Sequence, residues 1–178
     1  TGFIGSFNNF TATTSSTNPN GLIFQNSTSM TVTGTLTVTG NAANAGRMLF
    51  RTWRPGASDA LTITAAAVSL TNCDFMNLTC AGAATWSGTS VGDCANNTGL
   101  TATAATTRYW VNGTGNWSTA NNWSASSGGA GGASVPLPQD TVIFNAASFT
   151  AGGQTVTWNS SVQVLGASVD FTGVTNSP

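Results

Sequence analysis

The sequence predicts an all-β fold of short, repeated strands, arranged as a β-helix or solenoid, with β-sandwich modules as the alternative. Three observations carry this expectation. Apolar and hydroxyl side chains alternate with period two, turn-forming clusters separate the alternating runs, and one stretch of sequence is echoed later in the chain.

The clearest alternation runs from Met30 to Gly40, where Thr fills every second position from Thr31 to Thr39. Leu61-Thr62-Ile63-Thr64, Leu100-Thr101-Ala102-Thr103 and Thr155-Val156-Thr157-Trp158 repeat the pattern. Thr is β-branched and suits a pleated surface, and its hydroxyl keeps the outer face wet. Between these runs lie Ser15–Gly21, Gly40–Asn44 and Asp93–Gly99, rich in Gly and Asn, which tolerate the positive φ of tight turns. The small runs Ala65-Ala66-Ala67 and Ala104-Ala105 are expected where coils bend sharply.

The echo pairs Val68–Thr79 with Val164–Thr175. Both copies carry Asp-Phe, two further residues, then an aliphatic residue and Thr: Asp74-Phe75 in the first, Asp170-Phe171 in the second. Recurrence of this kind is expected of stacked coils, since each buries its apolar face only against its neighbours.

Residues 108–149 break the Thr rhythm and read as a Trp/Gly-rich, hairpin-like insert or cap. Three segments follow: a Thr-rich β-repeat over 1–107, the module over 108–149, and a return to β-repeat over 150–178, expected to continue in a longer parent protein. The stretch Ser126–Ser134 reads as a flexible linker.

Composition narrows the functional classes. Lys and Arg number 4, Asp and Glu 5, and His is absent, so 5% of residues are charged against about 25% in an ordinary soluble domain. A net charge of −1 lacks the basic stripe that nucleic-acid binding requires. No run reaches the roughly 20 apolar residues of a membrane span, and the 40% hydrophobic content argues against disorder. Arg47, Arg51 and Arg54 form the one local basic cluster, read as a polar turn with an ion pair to Asp59.

Without His, no Ser-His or Cys-His nucleophile can be assembled. Five Asp without Glu or Lys leave few acid–base pairs. Asp59, Asp93 and Asp140 sit in turn contexts, and Asp74 and Asp170 share one place in the echo, which suggests structural roles. No catalytic, cofactor-binding or metal-ligating residue is therefore expected. Cys73, Cys80 and Cys94 read as buried free thiols; Cys73 and Cys80 would face opposite sides of a straight strand. Trp110, Trp117 and Trp123 read mainly as a small aromatic core, with a glycan-stacking platform as the alternative.

The run Tyr109-Trp110-Val111-Asn112-Gly113-Thr114-Gly115-Asn116-Trp117-Ser118, followed by Asn122-Trp123-Ser124, the glycine-rich stretch into Val135-Pro136 and Asp140-Thr141-Val142-Ile143-Phe144, resembles a module of virion structural proteins of aquatic tailed phages. A looser likeness extends to secreted β-helical adhesins and autotransporter passengers. The resemblance spans about Val68 to Pro178 and implies a long protein built of repeated β segments, with no catalytic residues to carry over. It implies a structural component of a phage particle: a fibre, appendage or surface decoration that self-associates or binds other virion proteins, located in the virion or outside the cell. A carbohydrate-binding adhesin module with a host-surface glycan as partner, and a polysaccharide depolymerase fragment, are the alternatives. No cofactor, nucleic-acid or membrane partner is expected.

Overall fold

The structure, a computed structural model, describes residues 4–14, 20–25, 28–41, 46–54, 60–159 and 167–176. Most of the Ser15–Gly21 turn, part of the Gly40–Asn44 turn, Asp59 and the first three residues of the second echo copy lie outside the described residues. What is described is all-β: fourteen strands and no α-helix. It divides into two compact units, one up to Thr103 and one from Ala104 onward.

The first unit is a curled, solenoid-like parallel sheet of eight strands. These are β1 (Ile4–Phe7), β2 (Phe10–Thr13), β3 (Asn20–Phe24), β4 (Ser29–Thr39), β5 (Met48–Thr52), β6 (Leu61–Met76), β7 (Leu78–Ala81) and β8 (Gly88–Asp93). Every ladder is parallel: Ile4 pairs with Ser29, Ser29 with Thr62, Leu22 with Phe50, Phe50 with Phe75, and Cys73 with Val91. Each strand thus lies on its counterpart one coil earlier in the chain. An immunoglobulin-like sandwich would need antiparallel pairs, so the solenoid-like alternative is the one adopted.

The alternation in the sequence sets which side chains turn inward. In β4, Met30, Val32, Leu36 and Val38 are buried while the intervening Thr residues face outward or lie half-covered. They meet Leu61, Ile63, Ala65, Leu70, Phe75 and Phe50 in one core, where each large aliphatic or aromatic side chain contributes about 1.5–3 kcal/mol by leaving water. The alanine run expected at a bend instead lies within β6. Opposite it the register slips between Val32 and Thr35, a β-bulge in β4. Leu100–Thr103 is not a strand, although Thr101 N–H donates to the Trp86 carbonyl and Thr103 N–H to that of Val91.

Corners are made by residues with positive φ. Asn72 (φ 49°) and Ser90 (φ 55°) lie one above the other, because Thr71 pairs with Thr89 and Cys73 with Val91. Asn77 (φ 63°) separates β6 from β7. That left-handed residue resets the strand parity, so Cys73 and Cys80 both turn inward, the opposite of what a straight strand would give. All three cysteines are free and buried.

The second unit contains β9 (Thr107–Trp110), β10 (Gly115–Asn116), β11 (Trp123–Ser124), β12 (Thr141–Ile143), β13 (Val156–Thr157) and β14 (Ser168–Asp170). One sheet runs β11-β9-β12-β14, with β9, β12 and β14 parallel and β11 antiparallel to β9; β10 and β13 form a separate parallel pair. The second unit starts at Ala104, four residues before the break in sequence rhythm at Arg108. The described residues after Phe149 share a core with 108–149: Val156, Val169 and Val174 pack on the same cluster as Trp110, Trp117 and Trp123.

The glycine run is not a loose linker. Gly132 N–H and Ala133 N–H both donate to the Trp123 carbonyl, and a Cβ on Gly131 would collide with the Asn121 carbonyl. Glycine is used here for close backbone approach, a role that composition alone does not distinguish from flexibility.

Candidate functional site

Two aromatic ladders organise the second unit. Strand register sets both. Ile143 pairs with Tyr109 and with Asp170, so the next residues along, Trp110, Phe144 and Phe171, fall in line across β9, β12 and β14. Ring centroids are 6.0 Å apart for Trp110 and Phe144 and 4.7 Å for Phe144 and Phe171, the latter pair stacked with planes 7° apart. The second ladder follows from Asn116 pairing with Thr157, which sets Trp117 beside Trp158 at 4.7 Å. Trp123 bridges the ladders edge-on, 5.0 Å from Trp110 and 4.6 Å from Trp117.

Burial falls away along each ladder. Trp110 and Trp123 are fully covered, and Trp117 is 5% exposed. The indole N–H groups of Trp110 and Trp123 are spent inside, Trp110 Nε1 on the Gly113 carbonyl at 2.7 Å and Trp123 Nε1 on that of Trp117 at 2.7 Å. A sugar platform needs an open ring face, which fully covered Trp110 and Trp123 do not offer. Trp110, Trp117 and Trp123 are placed together in one aromatic core, and of the three Trp117 also reaches the open cleft at the outer edge. The outer rungs are the exposed ones: Trp158 at 43% and Phe171 at 58%.

An open cleft of about 400 Å³ lies at this outer edge, floored by Trp117, Phe144 and Phe149 and rimmed by Trp158 and Phe171, with Val156 on its wall. No charged side chain lines it. Gln154 braces the turn before β13, its Oε1 accepting from the N–H groups of Thr150 (2.7 Å) and Ala151 (3.0 Å). Sequence reading passed over Trp158 and Phe171. The available signals were the Thr-Val-Thr alternation running into Trp158 and the Asp-Phe echo ending on Phe171.

The buried charged groups among the described residues hold the fold. Arg47 does not form a polar turn: it is buried and ion-paired with Asp74 at 2.6 Å. Its Nη1 also donates to Ser90 Oγ, and its Nη2 to the carbonyls of Cys73 and Ser90. Asp140 is buried, with Oδ1 accepting from Thr106 N–H and Oδ2 from Leu137 N–H. Asp93 Oδ1 accepts from Ala95 N–H, as an Asx turn would. Asp170 is exposed, and hydrogen bonds from Thr172 hold its carboxyl below the usual range. Asp74 and Asp170 thus share a place in the sequence echo but not an environment. Among the described residues no three His, Cys, Asp or Glu side chains gather as a metal site, and no helix is long and apolar enough to cross a membrane.

Compared with protein-family models, with curated proteins and with solved structures, the chain matches none of them.

Proposed function

We propose that this chain is a structural segment of a virus particle, part of a fibre, appendage or surface decoration, and that it serves as architecture instead of catalysis. The observation that carries the reading is the coil-on-coil parallel sheet of the first unit, whose outer face is hydroxyl-rich and nearly uncharged. Such a stack gains its stability from nearest-neighbour burial and can be lengthened coil by coil, which suits an extended protein outside the cell. The use of Arg47, Asp74 and Asp140 as internal braces supports the same reading, as does the resemblance of residues 109–144 to a virion module.

The test is location. Tailed-phage particles from aquatic samples would be purified on density gradients, their proteins sequenced by mass spectrometry, and antibodies against this chain applied to the intact particles. Peptides of this chain co-purifying with particles, and label on a tail or capsid surface, are expected. Recovery only from secreted or cell-envelope fractions would overturn the virion assignment in favour of an adhesin.

A further inference from the structure

We propose that one outward face of the first unit binds ice: rows of threonine and serine hydroxyls on β2, β4, β6 and β8 hold a layer of ordered water in the spacing of the ice lattice. The inference goes beyond the structural reading above and does not depend on where the chain resides.

Strand register builds the rows. Thr11 pairs with Thr37 and Thr37 with Ser69, which makes one rank across β2, β4 and β6. Thr13 pairs with Thr39, Thr39 with Thr71 and Thr71 with Thr89, which makes a second rank that continues onto β8. The residues between the ranks, Ala12, Val38 and Leu70, are buried in the core, so by the alternation of a β-strand both ranks point outward. Thr11, Thr13, Ser69 and Thr89 are exposed, and Thr37, Thr39 and Thr71, flanked by other members of the rows, are half-buried. These side chains project away from the stack, so neighbouring coils extend the face and do not cover it.

The spacing selects the ligand. Neighbouring strands lie about 4.8 Å apart, and alternate residues of one parallel strand about 6.6 Å apart. Oxygen atoms on a prism face of ice repeat at nearly the first distance along one axis and at slightly more than the second along the other. Sheet twist would spoil such a match over many strands, but the rows cross only three or four, in constant register. The bulge at Val32–Thr35 and the left-handed corner at Asn72 and Ser90 both fall outside the rows.

The chemistry of the side chains agrees. A hydroxyl donates one hydrogen bond and accepts two, as ordered water demands of a neighbour, and the branched Cβ of Thr restricts its rotamer before any ligand arrives. Little side-chain freedom is then lost on binding. Among the described residues no protein group is hydrogen-bonded to these hydroxyls, whereas the buried Thr28 and Thr52 spend theirs on the carbonyls of Gln25 and Arg54. No member of the rows is charged, so no strongly hydrated group competes with the lattice. None is aromatic either, which disfavours the other flat ligand, a crystalline polysaccharide, whose sugar rings are best met by aromatic faces.

The experiment measures two properties of the full chain: its incorporation into a slowly grown ice hemisphere, and thermal hysteresis in a nanolitre osmometer. Wild type is compared with Ser69→Tyr, Thr37→Lys and a control, Ala125→Tyr, at an exposed residue of the second unit. Wild type and Ala125→Tyr are expected to enter the ice and to hold the freezing point below the melting point. Ser69→Tyr puts a bulky ring within the rows and Thr37→Lys a hydrated charge. Both are expected to lose the hysteresis and to be excluded from the ice, with circular dichroism in the cold unchanged. If Thr37→Lys does not fold, Ser69→Tyr, whose side chain is exposed, decides. Exclusion of folded wild type from ice, or hysteresis that survives these substitutions, overturns the proposal. So does a wild type that ignores ice and is retained on microcrystalline cellulose, with that retention lost in Ser69→Tyr, which makes the face a polysaccharide platform. None of these outcomes bears on whether the chain is found in particles, so the two readings fail separately.

Discussion

The guanidinium of Arg47 grips the carboxylate of Asp74 with Nε 2.8 Å from Oδ2 and Nη2 2.6 Å from Oδ1, and both side chains are only 1% exposed. Arg47 precedes β5, Asp74 lies in β6, and the remaining guanidinium donors reach Ser90 in β8. One side chain therefore ties three successive coils together at the stacked Asn72–Ser90 corner.

Removing one partner leaves the other charge buried and unpaired, which costs about 3–5 kcal/mol. Arg47→Met and Asp74→Leu are each expected to lower the unfolding free energy by that amount, read as a lower urea midpoint. The double variant Arg47→Met/Asp74→Leu should recover most of the loss, because apolar packing replaces a pair whose desolvation was expensive. A double-mutant cycle in urea measures the coupling, and additive losses would show that the pair is not coupled.

The buried thiols set the alkaline limit. Burial pushes Cys73 up from 9.0 to about 12, with the nearby Asp74 adding to the rise, and Cys80 to about 12, with Asp93 adding. Cys94 is raised by burial as well. The folded protein then holds these protons to higher pH than the unfolded chain, so this stability is complete below pH 9 and drains away between about pH 9 and 12. Urea midpoints should be nearly level from neutral pH to about 9 and fall beyond it. Cys94→Ala should shallow that fall. In the native state at neutral pH the three thiols should resist a thiol-specific reagent and react after unfolding.

Much of this fold could be read in the chain before any coordinates, and the reasons are local. Alternation at Met30–Thr39 determines which side chains turn inward, so the core of β4 follows directly. What could not be read depends on contacts distant in sequence. The partner of Arg47 is 27 residues away, set by coil stacking and not by the neighbouring turn. The glycines at 128–132 have a linker's composition, and only the approach of Asn121 and Trp123 gives them another role. Trp158 lies one rung beyond Trp117 and Phe171 two rungs beyond Trp110, which no property of the residues themselves records.

The tryptophan core makes its own prediction. Trp123→Ala removes a fully buried indole between Trp110 and Trp117 and should cost about 3–5 kcal/mol. Trp123→Phe keeps most of the apolar fill but leaves the Trp117 carbonyl without its 2.7 Å donor, at about 1–3 kcal/mol. Urea unfolding followed by circular dichroism separates the two. Losses of equal size would mean that the indole N–H, and not packing, carries the residue.

The stacked corner tests whether left-handed backbone is what lets one coil follow another. Asn72 and Ser90 hold positive φ in consecutive coils, and the Arg47 guanidinium closes on the Ser90 carbonyl just inside them. A β-branched side chain at such a φ costs about 1–2 kcal/mol, whereas Asn tolerates it and glycine adopts it freely. Asn72→Val should therefore lower the unfolding free energy by that amount, read as a lower urea midpoint, with Asn72→Gly at or near wild type. The order Gly, Asn, Val would show that backbone conformation governs the site. If Asn72→Gly instead falls as far as Asn72→Val, the Asn side chain matters more than its φ, and the corner is held by its contacts.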